Sequence, residues 1–102
     1  MKTHKDSSKS NGTHLQGYIK ASYEDLIKVF GEPTHGPEST DVDKSTCVWV
    51  IEYEDNEYCT IYDWKLDETP NYEYQWHIGG FNEDCVDAIK TFFERKVRNE
   101  VG

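Results

Sequence analysis

The residues with the most obvious chemical potential are one histidine, three cysteines and a crowd of carboxylates. His77 lies in "YQWHIGGFNED", residues 74–84, where an aromatic strand meets a Gly-Gly pair and a helix-start signal. A Cys-His pair would need a thiol within hydrogen-bond reach of that imidazole. Cys47 and Cys59 fall inside strand-like runs and Cys85 on a helical apolar stripe, where cysteine behaves as a small hydrophobe. Catalysis is therefore not expected, and the chain reads as a non-enzyme. "IGGFN" ahead of a helix could cradle an anion. It lacks the GxGxxG spacing and a neighbouring Lys or Arg, and Glu83 and Asp84 already occupy the field of the helix start. Glycines that let the chain bend account for the motif without a ligand.

The carboxylates crowd elsewhere. Glu52, Glu54, Asp55 and Glu57 sit around one hairpin tip, without the alternating-acid-plus-glycine spacing of a calcium loop. Asp63, between Tyr62 and Trp64, reads as an anchor for backbone amides, because a buried carboxylate must be hydrogen-bonded. Three cysteines without CxxC spacing argue against a disulfide framework or a zinc site, and His4 and His14 are too isolated to form one. No metal or cofactor is expected.

Charge is the strongest global signal. Twenty acids against eleven bases give −9. Between Glu38 and Glu73 there are eleven acids and two bases, a net −9, so the rest of the chain is neutral. Such a surface repels nucleic acid and anionic membranes and attracts a basic protein face. There is no leader-like apolar segment near Met1 and no run of transmembrane length, so a reducing cytoplasm is the expected location.

These residues are positioned by a short list of elements. The chain has 102 residues, enough for one modest core, and its 14% aromatic content compensates for 35% apolar residues. Residues 1–13 are polar and read as a disordered N-terminal arm; 14–99 read as a single domain. A short extended segment at about 15–20 precedes "SYEDLIKVFGEP". There Ser22 caps a helix of about 22–30, Tyr23, Leu26, Ile27 and Phe30 share one face, and Gly31 with Pro33 stops it. Loop residues follow, and then a hairpin. "TCVWVIEY" puts Cys47, Trp49, Ile51 and Tyr53 on one side; "YCTIYDWK" puts Cys59, Ile61 and Asp63 on one side and Tyr58, Tyr62 and Trp64 on the other. In "YEYQWHIG", Tyr74, Trp76 and Ile78 oppose Glu73, Gln75 and His77. Asn82 caps a last helix of about 83–98, with Cys85, Val86, Ile89, Phe92, Phe93 and Val97 as its apolar stripe. The expected fold is α+β, a two-layer sandwich in the order β-α-β-β-β-α, with an antiparallel sheet and both helices on one face.

Helices on one face leave the other open. The sequence therefore points to an acidic, aromatic sheet face made of Glu52, Glu54, Asp55, Glu57, Tyr58, Tyr62, Trp64, Glu73 and His77, facing a protein with a basic surface. A pocket around Trp64, Trp76 and His77 for a small ligand such as a nucleotide is the alternative. A homodimer through the open face or an edge strand is a further arrangement.

"GYIKASYEDLIKVFGEP", "TIYDWK" and "WHIGG" together resemble a group of small, mostly uncharacterised bacteriophage proteins. Those share GYIK-S-x-x-D-L-x-x-x-F-G-x-P, a tryptophan-bearing strand, IY-(D/N)-W-K, and WHIGG before a final helix. The resemblance covers about residues 17–93. The stretch between IYDWK and WHIGG is shorter here than is usual in that group. Membership would imply a phage-encoded protein and says little about activity. Together with the acids of residues 38–73, interleaved with aromatics, it points to a protein acting in the host cytoplasm as an inhibitor or modulator of a host factor such as a defence or nucleic-acid-handling enzyme. The helix-Gly-x-Pro-strand pattern is also similar to β-lactamase-inhibitor and outer-membrane-assembly lipoprotein domains, which bind proteins through an open sheet face; this second likeness is one of fold.

Overall fold

The computed structural model describes residues 2–4, 13–34, 47–54, 57–63 and 73–101. The expected loops at 34–45 and 66–71 and the hairpin turn at 54–57 lie largely outside these residues. The elements are β1 (Lys2–His4), β2 (His14–Ala21), α1 (Tyr23–Phe30), β3 (Val48–Glu54), β4 (Glu57–Tyr62), β5 (Tyr74–Gly80) and α2 (Asp84–Val101). All strand pairs are antiparallel and the sheet order is β1-β3-β4-β5-β2. The α+β class is as the sequence pattern indicates.

The element order gains one strand. Lys2–His4 is not part of a disordered arm; it pairs with β3 in the register Lys2↔Glu52, Thr3↔Ile51 and His4↔Val50. Polar contacts compensate for its lack of apolar residues. The Thr3 hydroxyl donates to the Phe30 carbonyl at 2.7 Å, and His4 Nε2 lies 2.9 Å from Glu52 Oε1. The Thr34 hydroxyl donates to the His4 carbonyl and accepts from the Val50 amide, tying the segment after α1 to the same edge.

Local chemistry sets the helix ends. Ser22 Oγ accepts from the Asp25 amide at 3.2 Å, and Glu24 and Asp25 place negative charge at the helix start. Gly31 closes α1 at φ 82°, a left-handed value that a side chain disfavours, and its N–H donates to the Ile27 carbonyl at 2.8 Å. Before α2, Asn82 Oδ1 accepts from the Asp84 amide at 3.0 Å.

Strand alternation sorts the sheet into two faces. Trp49, Ile51, Cys59, Ile61, Trp76 and Ile78 join Leu26 and Phe30 of α1 and Cys85 and Ile89 of α2 in one buried cluster. The apolar stripes of both helices therefore meet the same side of the sheet. Trp49 and Trp76 are fully buried and meet edge to face, 5.5 Å between ring centroids. Each ring withdraws enough area to stabilise the fold by roughly 4–6 kcal/mol before entropy is counted. Their N–H groups then fix α1 between them. Trp76 Nε1 donates to the Ala21 carbonyl and Trp49 Nε1 to the Gly31 carbonyl, each at 2.9 Å, one just before the helix and one just after it.

This clamp predicts the effect of losing one donor. Trp76→Phe keeps a large ring but leaves the Ala21 carbonyl unpaired in the interior, which costs about 1–3 kcal/mol. Urea unfolding should show a midpoint shifted down by that amount, with an unchanged slope.

Candidate functional site

The face away from the helices is organised by register. Tyr18, His77 and Tyr62 are successive Cα partners across β2, β5 and β4. Their side chains form one row: His77 stacks on Tyr62 with centroids 5.3 Å apart, and meets Tyr18 edge-on at 5.1 Å. Val48 continues the row on β3, and Gly79, two residues beyond His77, lies on the same face. No described helix lies on this side.

The Gly-Gly pair serves close packing on both faces of β5. Neither glycine marks a sharp bend, contrary to the expectation from sequence. Both lie inside β5, and the positive φ recorded for a glycine among the described residues is at Gly31. Their function is close approach. A Cβ at Gly79 would stand 2.6 Å from the Thr60 hydroxyl and 3.4 Å from the Tyr62 ring. A Cβ at Gly80 would collide with Cys85 Sγ on the opposite face. Gly79 thus makes room for the Thr60 hydroxyl on the face of the aromatic row, and Gly80 makes room for Cys85 of α2.

His77 occupies an unusual place. It is half-buried, and its Nδ1 is enclosed without a hydrogen-bond partner among the described residues. Burial lowers its pKa from 6.5, although the Asp63 charge and the Tyr62 backbone pull in the other direction. The imidazole is held toward its neutral form. Burial likewise raises the Tyr62 phenol, so the row carries little charge near neutral pH.

The remaining residues expected at the site divide. Tyr58 is on the same face but buried, with its ring edge-on to His4 at 5.3 Å. Glu52 is half-buried beside His4 at 2.9 Å; such a pair contributes about 0–1 kcal/mol, and it engages the carboxylate. Glu54 and Glu73 are exposed. Glu57 belongs with the other face: it alternates with Cys59 and Ile61, and Tyr53 donates to its Oε2 at 3.4 Å. Burial, with the Glu57 charge second, pushes the Tyr53 phenol up to about 12. Asp55 and Trp64 lie outside the described residues. Asp63 is fully buried, and its Oδ1 accepts from the Cys47 amide at 3.1 Å, which is the backbone-anchoring role expected of it.

Two other arrangements do not assemble. The pocket imagined around Trp64, Trp76 and His77 fails because Trp76 is sealed in the core on the face opposite His77. A Cys-His pair fails for the same reason: Cys47 and Cys59 project to the core side, and burial raises the thiols of Cys59 and Cys85. Among the described residues no group of three or more His, Cys, Asp or Glu is placed to hold a metal, and no helix is long and apolar enough to cross a membrane.

Sequence reasoning missed Tyr18, which is 40% exposed and forms the outer end of the row. The signal was present in the alternation of β2, where Tyr18 and Lys20 oppose Ile19 and Ala21. A bulge between Leu15 and Gly17 shifts the register, so both Leu15 and Tyr18 reach the open side. Compared with known proteins, the chain matches no family model, no curated protein sequence and no solved structure.

Two outcomes follow from this geometry. Gly79→Ala should destabilise by about 1–3 kcal/mol through overpacking, and Thr60→Ala in the same chain should recover part of that loss, as a double-mutant cycle in urea would show. The pH dependence has a definite sign. In the unfolded chain His77 takes up a proton near pH 6.5, while the folded state resists it to lower pH. Stability contributed by the neutral ring is therefore complete above that value and falls as pH drops below it, levelling once the folded ring also titrates. His77→Phe should remove that part of the slope between thermal midpoints measured at pH 7 and at about pH 5.

Proposed function

We propose that this chain is a protein-binding module, without catalytic chemistry of its own, that engages a partner with a basic surface through the helix-free face of its sheet. The observation that carries this reading is the Tyr18–His77–Tyr62 row on that face, in a chain whose whole net charge of −9 is confined to residues 38–73. Neutral aromatic side chains anchor protein interfaces through buried area, and acids around them steer a cationic partner and fix its orientation. Within the acidic stretch 38–73, Glu54 and Glu73 are the exposed carboxylates among the described residues, whereas Glu52, Glu57 and Asp63 are engaged. The same face offers the ring surfaces on which an arginine guanidinium stacks.

The motif resemblance supports a particular setting. A phage-encoded protein of this kind would act in the host cytoplasm on a host factor, and an acidic face is suited to a defence or nucleic-acid-handling enzyme whose own surface is basic. Direct contact with nucleic acid does not fit a chain of this charge.

Affinity capture from host lysate at low and high salt tests the reading. It expects a basic protein that is retained at low salt and released at high salt. Capture should fall about tenfold or more with Tyr18→Ala, the cost of a typical aromatic anchor, and less with Glu73→Lys. Capture that is indifferent to salt and to Tyr18→Ala would overturn it.

A further inference from the structure

The two edges of the sheet differ in protection. β1 offers three residues, whereas β2 offers eight, with no proline and a single lysine. Short strands, prolines and charges are the usual defences of an edge, and β2 has little beyond the bulge near Gln16. Among the described strands nothing pairs with its outer side. A groove runs along that side. It is lined by residues 17–20 of β2 and by Val86, Lys90, Phe93 and Glu94 of α2, with Gln75 of β5 at its side. Leu15 and Phe81, 48% and 51% exposed, add apolar surface at the end where β2 meets the close of β5.

We infer that this groove receives β2 of a second copy, joining two five-stranded sheets into one of ten strands about a two-fold axis. An antiparallel edge is its own hydrogen-bonding complement, because a two-fold axis sets each free N–H against a free C=O. Electrostatics selects the same occupant. Two chains of −9 repel almost everywhere, yet residues 13–21 contain no acid. The groove carries both signs, Lys20 and Lys90 with Glu94, which lets it be complementary to a copy of itself. A basic partner of the kind proposed above gains nothing from these lysines. The inference stands on the edge and its groove, independently of that proposal. Pairing would run from Gly17 to Ala21, beyond the bulge, and would bring the two α2 helices side by side on one face.

Sedimentation velocity of the full chain through the micromolar range tests this together with single-cysteine cross-linking. The native thiols are buried, so a new surface thiol reports alone. In this register the two-fold axis passes through Ile19 and sets Tyr18 of one copy opposite position 20 of the other. The expected result is therefore a concentration-dependent dimer that becomes covalent under mild oxidation when Tyr18→Cys and Lys20→Cys chains are mixed. Where Tyr18→Cys does not fold, exposed Lys20→Cys alone, bridged across the axis by a short bis-maleimide, serves instead. Glu54→Cys on β3, separated from β2 by two strands, should give no cross-link. A monomer at every concentration would overturn the inference, as would a dimer in which the cysteines on β2 do not cross-link.

Discussion

Two tryptophans decide how this molecule is divided. Trp49 and Trp76 meet edge to face beneath α1, and their N–H groups hold the carbonyls on either side of that helix. The energy comes chiefly from buried area, because a single hydrogen bond adds only about 1 kcal/mol. The direction comes from the hydrogen bonds. An eight-residue helix does not persist alone in water. Fixed at both ends, α1 lies against one sheet face, where the stripe of α2 joins it in the same cluster.

That division gives the opposite face its character. With the large apolar rings drawn inward, the strands project the intervening residues outward, and register gathers Tyr18, His77 and Tyr62 into a row. Gly79 leaves space for the Thr60 hydroxyl beside the row, while Gly80 lets α2 approach from behind. "WHIGG" therefore links both faces: Trp76 and Ile78 build the core, His77 belongs to the outer row, and the glycines set the spacing on each side. The lowered pKa of His77 follows from the same enclosure, which outweighs the opposing Asp63 charge and Tyr62 backbone.

Much of this was legible in the residues. Period-two alternation correctly separated Trp49 and Ile51 from Val50, Cys59 and Ile61 from Tyr58, and Trp76 from His77, because a half-covered sheet enforces it. Ser22, Gly31 and Asn82 declared the helix boundaries through local hydrogen-bonding chemistry. What the sequence could not convey depended on partners distant in the chain. β1 has no apolar pattern; it exists because the Phe30 carbonyl, Glu52 and Thr34 meet it. The acids near the hairpin look alike in sequence, yet Glu52 turns to His4 and Glu57 to Tyr53 on the other face. Gly79 and Gly80 suggest a bend until Thr60 and Cys85 are seen beside them. Tyr18 became part of the candidate site only through its register with His77.

The central claim is structural: one sheet face is closed by a helix clamped between two indoles, and the other carries the Tyr18–His77–Tyr62 row, with Tyr18 exposed at its end. Hydrogen exchange at the Trp49 and Trp76 indole N–H groups, followed by NMR, tests it most directly. The account predicts that both exchange only when the whole domain unfolds, with protection equal to that of the slowest backbone amides. Rapid exchange at either indole under native conditions would contradict it, since the clamp on α1 and the separation of the two faces would then be absent.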